Sequence, residues 1–118
     1  MLNLEVDSLK KVFNVTAKGV LSFQEMTDYL SKLKDAIKKV DPMGYALIID
    51  AREQKTFAPE AVPLLDEALK LYTETPFCKR FSVVLESAIA MLQVKKVGKE
   101  NVDQFVMVRS VEEAYKMI

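Results

Sequence analysis

The sequence predicts a single α/β domain built on a mixed, mostly parallel sheet, and three observations carry that reading. The first is the stretch Gly44-Tyr45-Ala46-Leu47-Ile48-Ile49-Asp50-Ala51-Arg52, a run of bulky apolar residues entered through Pro42 and Gly44 and ended by an acid. Such a run reads as a strand buried on both faces, as in the middle of a parallel sheet. The second is the alternation of short strand-like runs with segments of helical periodicity on either side of it. The third is a serine followed three residues later by glutamate, found at Ser22–Glu25 and again at Ser110–Glu113, which marks two helix starts. Together they call for about five strands and about four helices in the order ββαβαβαβα, joined by right-handed crossovers, with four strands parallel.

Taken in order, Leu2, Leu4 and Val6 alternate with polar residues, and Val12, Phe13, Val15 and Ala17 do so more loosely. These form a hairpin at a sheet edge, turning near Asp7-Ser8-Leu9-Lys10. Gly19 is expected to break the second strand. A helix then starts at Ser22, with Phe23, Met26, Leu30, Leu33, Ile37 and Val40 on one stripe and Tyr29 at its margin. Lys32, Asp35, Lys38 and Lys39 lie opposite, as a solvated face. Asp41-Pro42-Met43-Gly44 stops it, and the central strand follows.

After Arg52 the residues Glu53, Gln54, Lys55 and Thr56 read as a polar loop, and Pro59 suits the first position of the next helix, with Glu60 beside it favouring the positive end of the helix dipole. Ala61, Val62, Leu64, Leu65, Ala68, Leu69, Leu71 and Tyr72 cover about half of that helix's circumference, wider than one sheet contact needs. Either a neighbouring helix shares this surface or part of it meets a partner. Pro76 closes the helix and Phe81-Ser82-Val83-Val84-Leu85 forms the next strand. From Ser87 a third helix carries Ala88, Ile89, Ala90, Met91, Leu92, Val94 and Val97 all round its axis, so it is either buried or a contact surface. Phe105–Val108 is the last strand, and a short helix from Ser110 closes the chain. With no internal repeat and no linker, residues 1–118 form one domain.

Composition removes several functions. Seventeen basic residues balance seventeen acidic ones, so the basic excess that drives binding to nucleic acid or an anionic membrane is missing. No uncharged run reaches the roughly 20 residues of a membrane span. Histidine is absent, which removes imidazole bases, Ser-His and Cys-His nucleophile pairs and His-containing zinc sites. The single cysteine, Cys78, forms no internal disulfide and leaves no thiolate zinc site, and with no secretory leader the chain reads as cytoplasmic. Cys78 itself, despite Lys79 and Arg80 beside it, is expected to be an ordinary thiol. No cofactor is implied.

Parallel strands place their carboxyl ends on one rim, where Lys18, Gly19, Asp50, Arg52, Glu86, Ser87, Arg109 and Ser110 are expected to meet. Asp50, Arg52, Glu86, Ser87, Arg109 and Ser110 make a candidate rim for a small ligand or anion. The alternative is that Asp50 simply pairs with Arg52 or Arg109 while the serines cap helices. Asp50 with Glu86 offers acid-base or magnesium chemistry, a weaker reading without a third acid. Leu64, Leu71, Met91 and Val94 are the candidate partner surface, which a homo-oligomer or a small apolar ligand would cover.

The element order, the glycine near the end of the second strand, the apolar strand ending in Asp50 and the last strands running into apolar helices resemble the SpoIIAA-like, or STAS, family over nearly the whole chain. That resemblance implies a non-enzymatic regulatory or protein-interaction module. STAS anti-sigma factor antagonists bind a kinase-like partner and are switched by phosphorylation in a D-x-S-G type turn at the start of helix two. Here the turn reads Asp50-Ala51-Arg52-Glu53-Gln54-Lys55-Thr56, keeping Asp50 and lacking the serine-glycine part, so Thr56 is the hydroxyl left as a phosphosite or a mere helix-start residue. The chain is more similar to the divergent SpoIIAA-like branch, whose fold relation to CRAL-TRIO domains implies the alternative of a carrier for a small apolar or amphipathic ligand.

Overall fold

The structure is a computed structural model that describes residues 1–83 and 105–118. The expected helix beginning at Glu86 and Ser87, including Met91 and Val94, lies outside the described residues, as do Val84 and Leu85.

Five strands form one sheet in the order β1 (Leu2–Asp7), β2 (Val12–Leu21), β3 (Ala46–Phe57), β4 (Lys79–Val83) and β5 (Val106–Val108). β1 runs antiparallel to β2, and every later neighbour is parallel. The hairpin turns where expected. Asp7 Oδ1 accepts from the backbone amides of Leu9 and Lys10, and Lys11 takes the left-handed conformation that completes the turn.

Helix α1 (Phe23–Lys38) opens with the full reciprocal box: Ser22 Oγ accepts from the Glu25 amide and the Glu25 carboxylate accepts from the Ser22 amide. Met26, Tyr29, Leu30 and Leu33 are its buried face. Phe23 departs from the expected stripe: it is 48% exposed, because the helix has only just reached the sheet edge at its first residue. Helix α2 (Val62–Glu74) begins later than Pro59 predicts. Pro59–Ala61 forms a separate 3-10 turn, and a second proline, Pro63, occupies the first turn of α2 itself, where its missing N–H costs nothing. The far end of α2 is held from the next strand. Arg80 Nε donates to the Tyr72 carbonyl at 2.6 Å, and its Nη2 donates to those of Thr73 and Thr75, meeting carbonyls that the helix leaves unpaired.

Because β2, β3 and β4 lie side by side in chain order, the right-handed crossovers through α1 and α2 place both helices on one face. The larger core lies there, with Phe13, Leu33 and Leu47 fully buried in it. Helix α3 (Val111–Lys116) folds over the other face, against Val12, Ile48, Phe81, Val83 and Val108.

Two sequence expectations are corrected here. Gly19 does not end β2, which continues to Leu21. Nor is the polar stretch after Arg52 a loop: Glu53, Gln54, Lys55 and Thr56 continue β3, pairing with β2 as far as Leu21 and Phe57. Among the described residues β4 pairs with β3 as far as Asp50, opposite Val83, and the β2–β3 ribbon continues beyond it to Leu21 and Phe57. The register slips twice in that ribbon, between Thr16 and Lys18 and between Gly19 and Val20, and each time β3 carries the extra residue.

Candidate functional site

The ribbon explains where the predicted rim residues go. Asp50 and Arg52 are two apart on one strand and so share a face, that of α3. Arg52 Nε donates to Asp50 Oδ1 at 2.9 Å and Nη2 to Oδ2 at 2.7 Å, a forked ion pair, while the Arg52 amide also donates to Oδ1. The Arg52 hydrogen bonds hold the Asp50 carboxyl below its ordinary range against the opposing effect of burial. Next to it Lys18 pairs with Glu53 at 3.2 Å, both exposed. Ser110 caps α3 by accepting from the Glu113 amide, and the Glu113 carboxylate accepts from the Arg109 amide.

The fork of Arg52 is occupied by Asp50, Ser110 is a cap, and Arg109 is exposed. Glu86 and Ser87 lie outside the described residues. Among the described residues no group of acids or thiols is gathered to hold a metal. Thr56 is not in a helix-start loop as expected; it sits in β3 opposite Val20. Cys78 is exposed and free. Leu64 and Leu71 are half-buried and packed against the larger core rather than standing free. Exposed apolar side chains among the described residues at this end of the sheet include Val20, 54% exposed, Phe23 and Met1.

The face that the rim analysis overlooks is the one under α1 and α2. A cavity of about 90 Å³ lies between those helices and the ribbon. Its wall is largely aliphatic and aromatic, from Leu21, Met26, Phe57 and Leu65 among others, and among the described residues that line it none is charged. Three large polar side chains interrupt it: Tyr29, Tyr72 and Gln54. The two phenols lie 2.5 Å apart and share one hydrogen bond, and burial pushes both well above the ordinary tyrosine range. Gln54 is 6% exposed, and its Nε2 has no hydrogen-bond partner among the described residues.

How Gln54 comes to be there follows from the bulge. Leu47, Ile49 and Ala51 face the helices, and strict alternation would send the even-numbered Gln54 to the opposite face with Ile48, Asp50 and Arg52. The extra residue opposite Thr16–Lys18 resets the alternation and turns Gln54 inward. Sequence reasoning placed Gln54 in a polar loop and Tyr29 at a helix margin, so neither was a candidate. The signal for the tyrosine was its helical spacing from Met26 and Leu33; the bulge has no comparable signature.

No family model and no curated protein matches the chain. Solved structures do. A protein of uncharacterized function from Shewanella loihica PV-4, of the DUF3478 family with a SpoIIAA-like fold, is similar at a TM-score of 0.70 and 16% identity, over 99% of this chain and 91% of that one. The anti-sigma factor antagonist SpoIIAA in its unphosphorylated form is similar at a TM-score of 0.66 and 14% identity, over 99% of this chain and 96% of that one. The Bacillus cell fate determinant SpoIIAA in its phosphorylated form is similar at 0.68 and 14%, over 99% and 98%. The chain thus has a SpoIIAA-like fold along its whole length, as its element order predicts.

Proposed function

We propose that this chain is a regulatory binding module that works through a protein partner, a second copy of itself or another chain, and not by catalysis. The observation that carries the reading is the likeness, over 99% of this chain, to SpoIIAA, an anti-sigma factor antagonist. A fold alone leaves function open, so the site has to agree with it. What supports it there is that Asp50, a carboxylate considered for chemistry, is paired with Arg52, and Lys18 beside it with Glu53. The same end of the sheet presents Val20 and Phe23 to solvent, each an exposed apolar side chain of the kind a protein contact covers.

Native mass spectrometry of the protein and of its Phe23→Asp variant, each taken directly from the expressing cell, tests this. The expected result is a defined homo-oligomer or stoichiometric complex that Phe23→Asp dissociates while the fold, followed by circular dichroism, persists. A strictly monomeric protein at all working concentrations, with no co-purifying chain, would overturn it.

A further inference from the structure

Among the described residues β1 is a terminal strand of the sheet, and its hydrogen-bond parity fixes which backbone groups face outward. Met1 and Lys18 exchange both bonds across β1 and β2: the Lys18 amide donates to the Met1 carbonyl at 2.7 Å and the Met1 nitrogen to the Lys18 carbonyl at 2.6 Å. Such pairs alternate along an antiparallel ladder. Asn3, Glu5 and Asp7 are therefore the residues bonded to β2, while Leu2, Leu4 and Val6 aim their N–H and C=O groups away from it. β1 pairs without a register slip and carries neither proline nor lysine, so the usual devices that blunt an edge are missing. β5, at the opposite edge, is only three residues long among the described residues. Beside the outward groups a groove of about 340 Å³ runs between β1 and α1 over Leu4, Val6, Ala36 and Val40, and Val6 is 39% exposed there.

We propose that this edge pairs with the same edge of a second copy, β1 antiparallel to β1, joining the two five-stranded sheets into one. Parity and charge choose the register. Outward groups meet outward groups only when the twofold axis passes through a residue, and an axis at Leu4 or at Glu5 overlaps most of the strand. At Glu5 two carboxylates would face each other directly, which is destabilising. At Leu4 the facing pairs are Leu4 with Leu4, Leu2 with Val6 and Glu5 with Asn3, so every apolar side chain on the groove face meets another and no like charges are opposed. Leu2 of the second copy then covers the exposed Val6. On α1 the exposed residues Asp28, Lys32, Asp35 and Lys39 fall on one stripe, and the last three line the groove. Among the described residues Lys32, Asp35 and Lys39 have no ion-pair partner. A stripe that alternates in sign meets its own antiparallel copy without net repulsion. Each copy has one such edge, so the pairing closes at two. The inference rests on the protein-partner reading in taking a second copy as the partner, but it uses neither Val20 nor Phe23, which the paired edge leaves open to another chain.

The test is a disulfide trap in a Cys78→Ser background, since the exposed Cys78 would cross-link by itself. With the axis at Leu4, Asn3 of one copy faces Glu5 of the other in a pair not bonded across the new interface, where Cα atoms stand about 4.5 Å apart and within disulfide reach. An equimolar mixture of Asn3→Cys and Glu5→Cys chains, after subunit exchange, is expected to oxidise to a covalent dimer at least about tenfold faster than either chain alone. Sedimentation velocity of the unaltered chain should show a dimer that Val6→Lys weakens by roughly tenfold or more, because each copy would place an ammonium in the groove. Should Val6→Lys fail to fold, Val6→Pro gives the second readout. The Val6 amide points away from β2, so proline removes bonds across the interface and none within the chain. Cross-linking of either cysteine variant alone as fast as the mixture would overturn the proposal, and so would a dimer that Val6→Pro leaves intact. If that dimer still dissociates with Phe23→Asp, the edge is excluded and the protein-partner reading stands. A strictly monomeric chain with no co-purifying protein overturns both.

Discussion

The hydroxyls of Tyr29 and Tyr72 meet in the core with no charged group beside them. The two hydroxyls satisfy one another, and removing one member should expose the cost. Tyr72→Phe leaves the Tyr29 hydroxyl buried and alone, a loss of about 1–3 kcal/mol, whereas removing both hydroxyls should cost less than the two single losses added. The pair also sets an alkaline limit. Burial raises both phenols, so the folded state keeps their protons when the unfolded chain, at an ordinary value of 10, begins to release them. Proton release by the unfolded state favours unfolding. Stability should therefore be fully present below about pH 10 and fall above it, with a slope approaching roughly 1.4 kcal/mol per pH unit for each tyrosine. Denaturant midpoints measured across that range should show the slope halved in Tyr29→Phe. An unchanged slope would mean that the pair ionises in the folded protein. Asp50 acts at the other end of the scale and in the opposite sense. Its carboxyl is depressed by Arg52, so what that pair contributes is present above the ordinary carboxylate value and lost as pH falls through the lower folded one.

At the scale of elements, the β2–β3 ribbon is where local rules and tertiary structure part company. Gly19 sits within β2 at φ +68, beside the second register slip, in a conformation that residues with a Cβ adopt at a cost. A Cβ there would meet nothing within 4 Å, so space is not the constraint. Gly19→Ala should accordingly destabilise by about 1–2 kcal/mol, through the backbone alone. Gly44→Ala is the matched control: that glycine also has open space around it but no left-handed φ, so its replacement should leave the urea midpoint nearly unchanged or slightly raised. Equal losses at the two sites would show that Gly19 is not held in that conformation. The same ribbon marks how far sequence reasoning reached. The hairpin, the Ser22 and Ser110 caps, the buried central strand and the parallel order were all legible, because periodicity and cap chemistry are written in neighbouring residues. The continuation of β3 through Glu53, Gln54, Lys55 and Thr56 was not. Glu53 and Lys55 have weak strand propensity, and the pairing of this stretch is imposed by β2 across the sheet. A bulge then changes which of them point inward, and no spacing rule reads that from one strand. The candidate site suffered most: Asp50 and Arg52 were found but proved to be partners of each other, while Gln54 was hidden by the missed bulge.

At the scale of the whole molecule, the two faces of the sheet are closed by different means. The face under α1 and α2 is covered by elements tied into the sheet at both ends, since each is a crossover between neighbouring parallel strands. Among the described residues the other face is covered by α3, a helix of six residues docked through Ala114, Val111 and Tyr115. Asn14 donates to the Tyr115 hydroxyl from β2, and the Lys10 ammonium lies over the Tyr115 ring, so a single side chain supplies much of what fastens that helix. This asymmetry predicts a hierarchy of opening. Amides of α3 should exchange with solvent at a lower free energy than those of β2 and β3, which open only with the whole domain. Truncation after Arg109 carries the argument to its limit, because it would bare Val12, Ile48, Phe81, Val83 and Val108 together, a continuous apolar patch at the centre of the sheet. The truncated chain is expected to retain its far-ultraviolet dichroism from strands and from α1 and α2, yet to self-associate, as read by sedimentation velocity against the full chain. A monomeric truncation with an undiminished denaturant midpoint would show that α3 adds nothing to the fold, and Tyr115→Ala would then have to be equally silent.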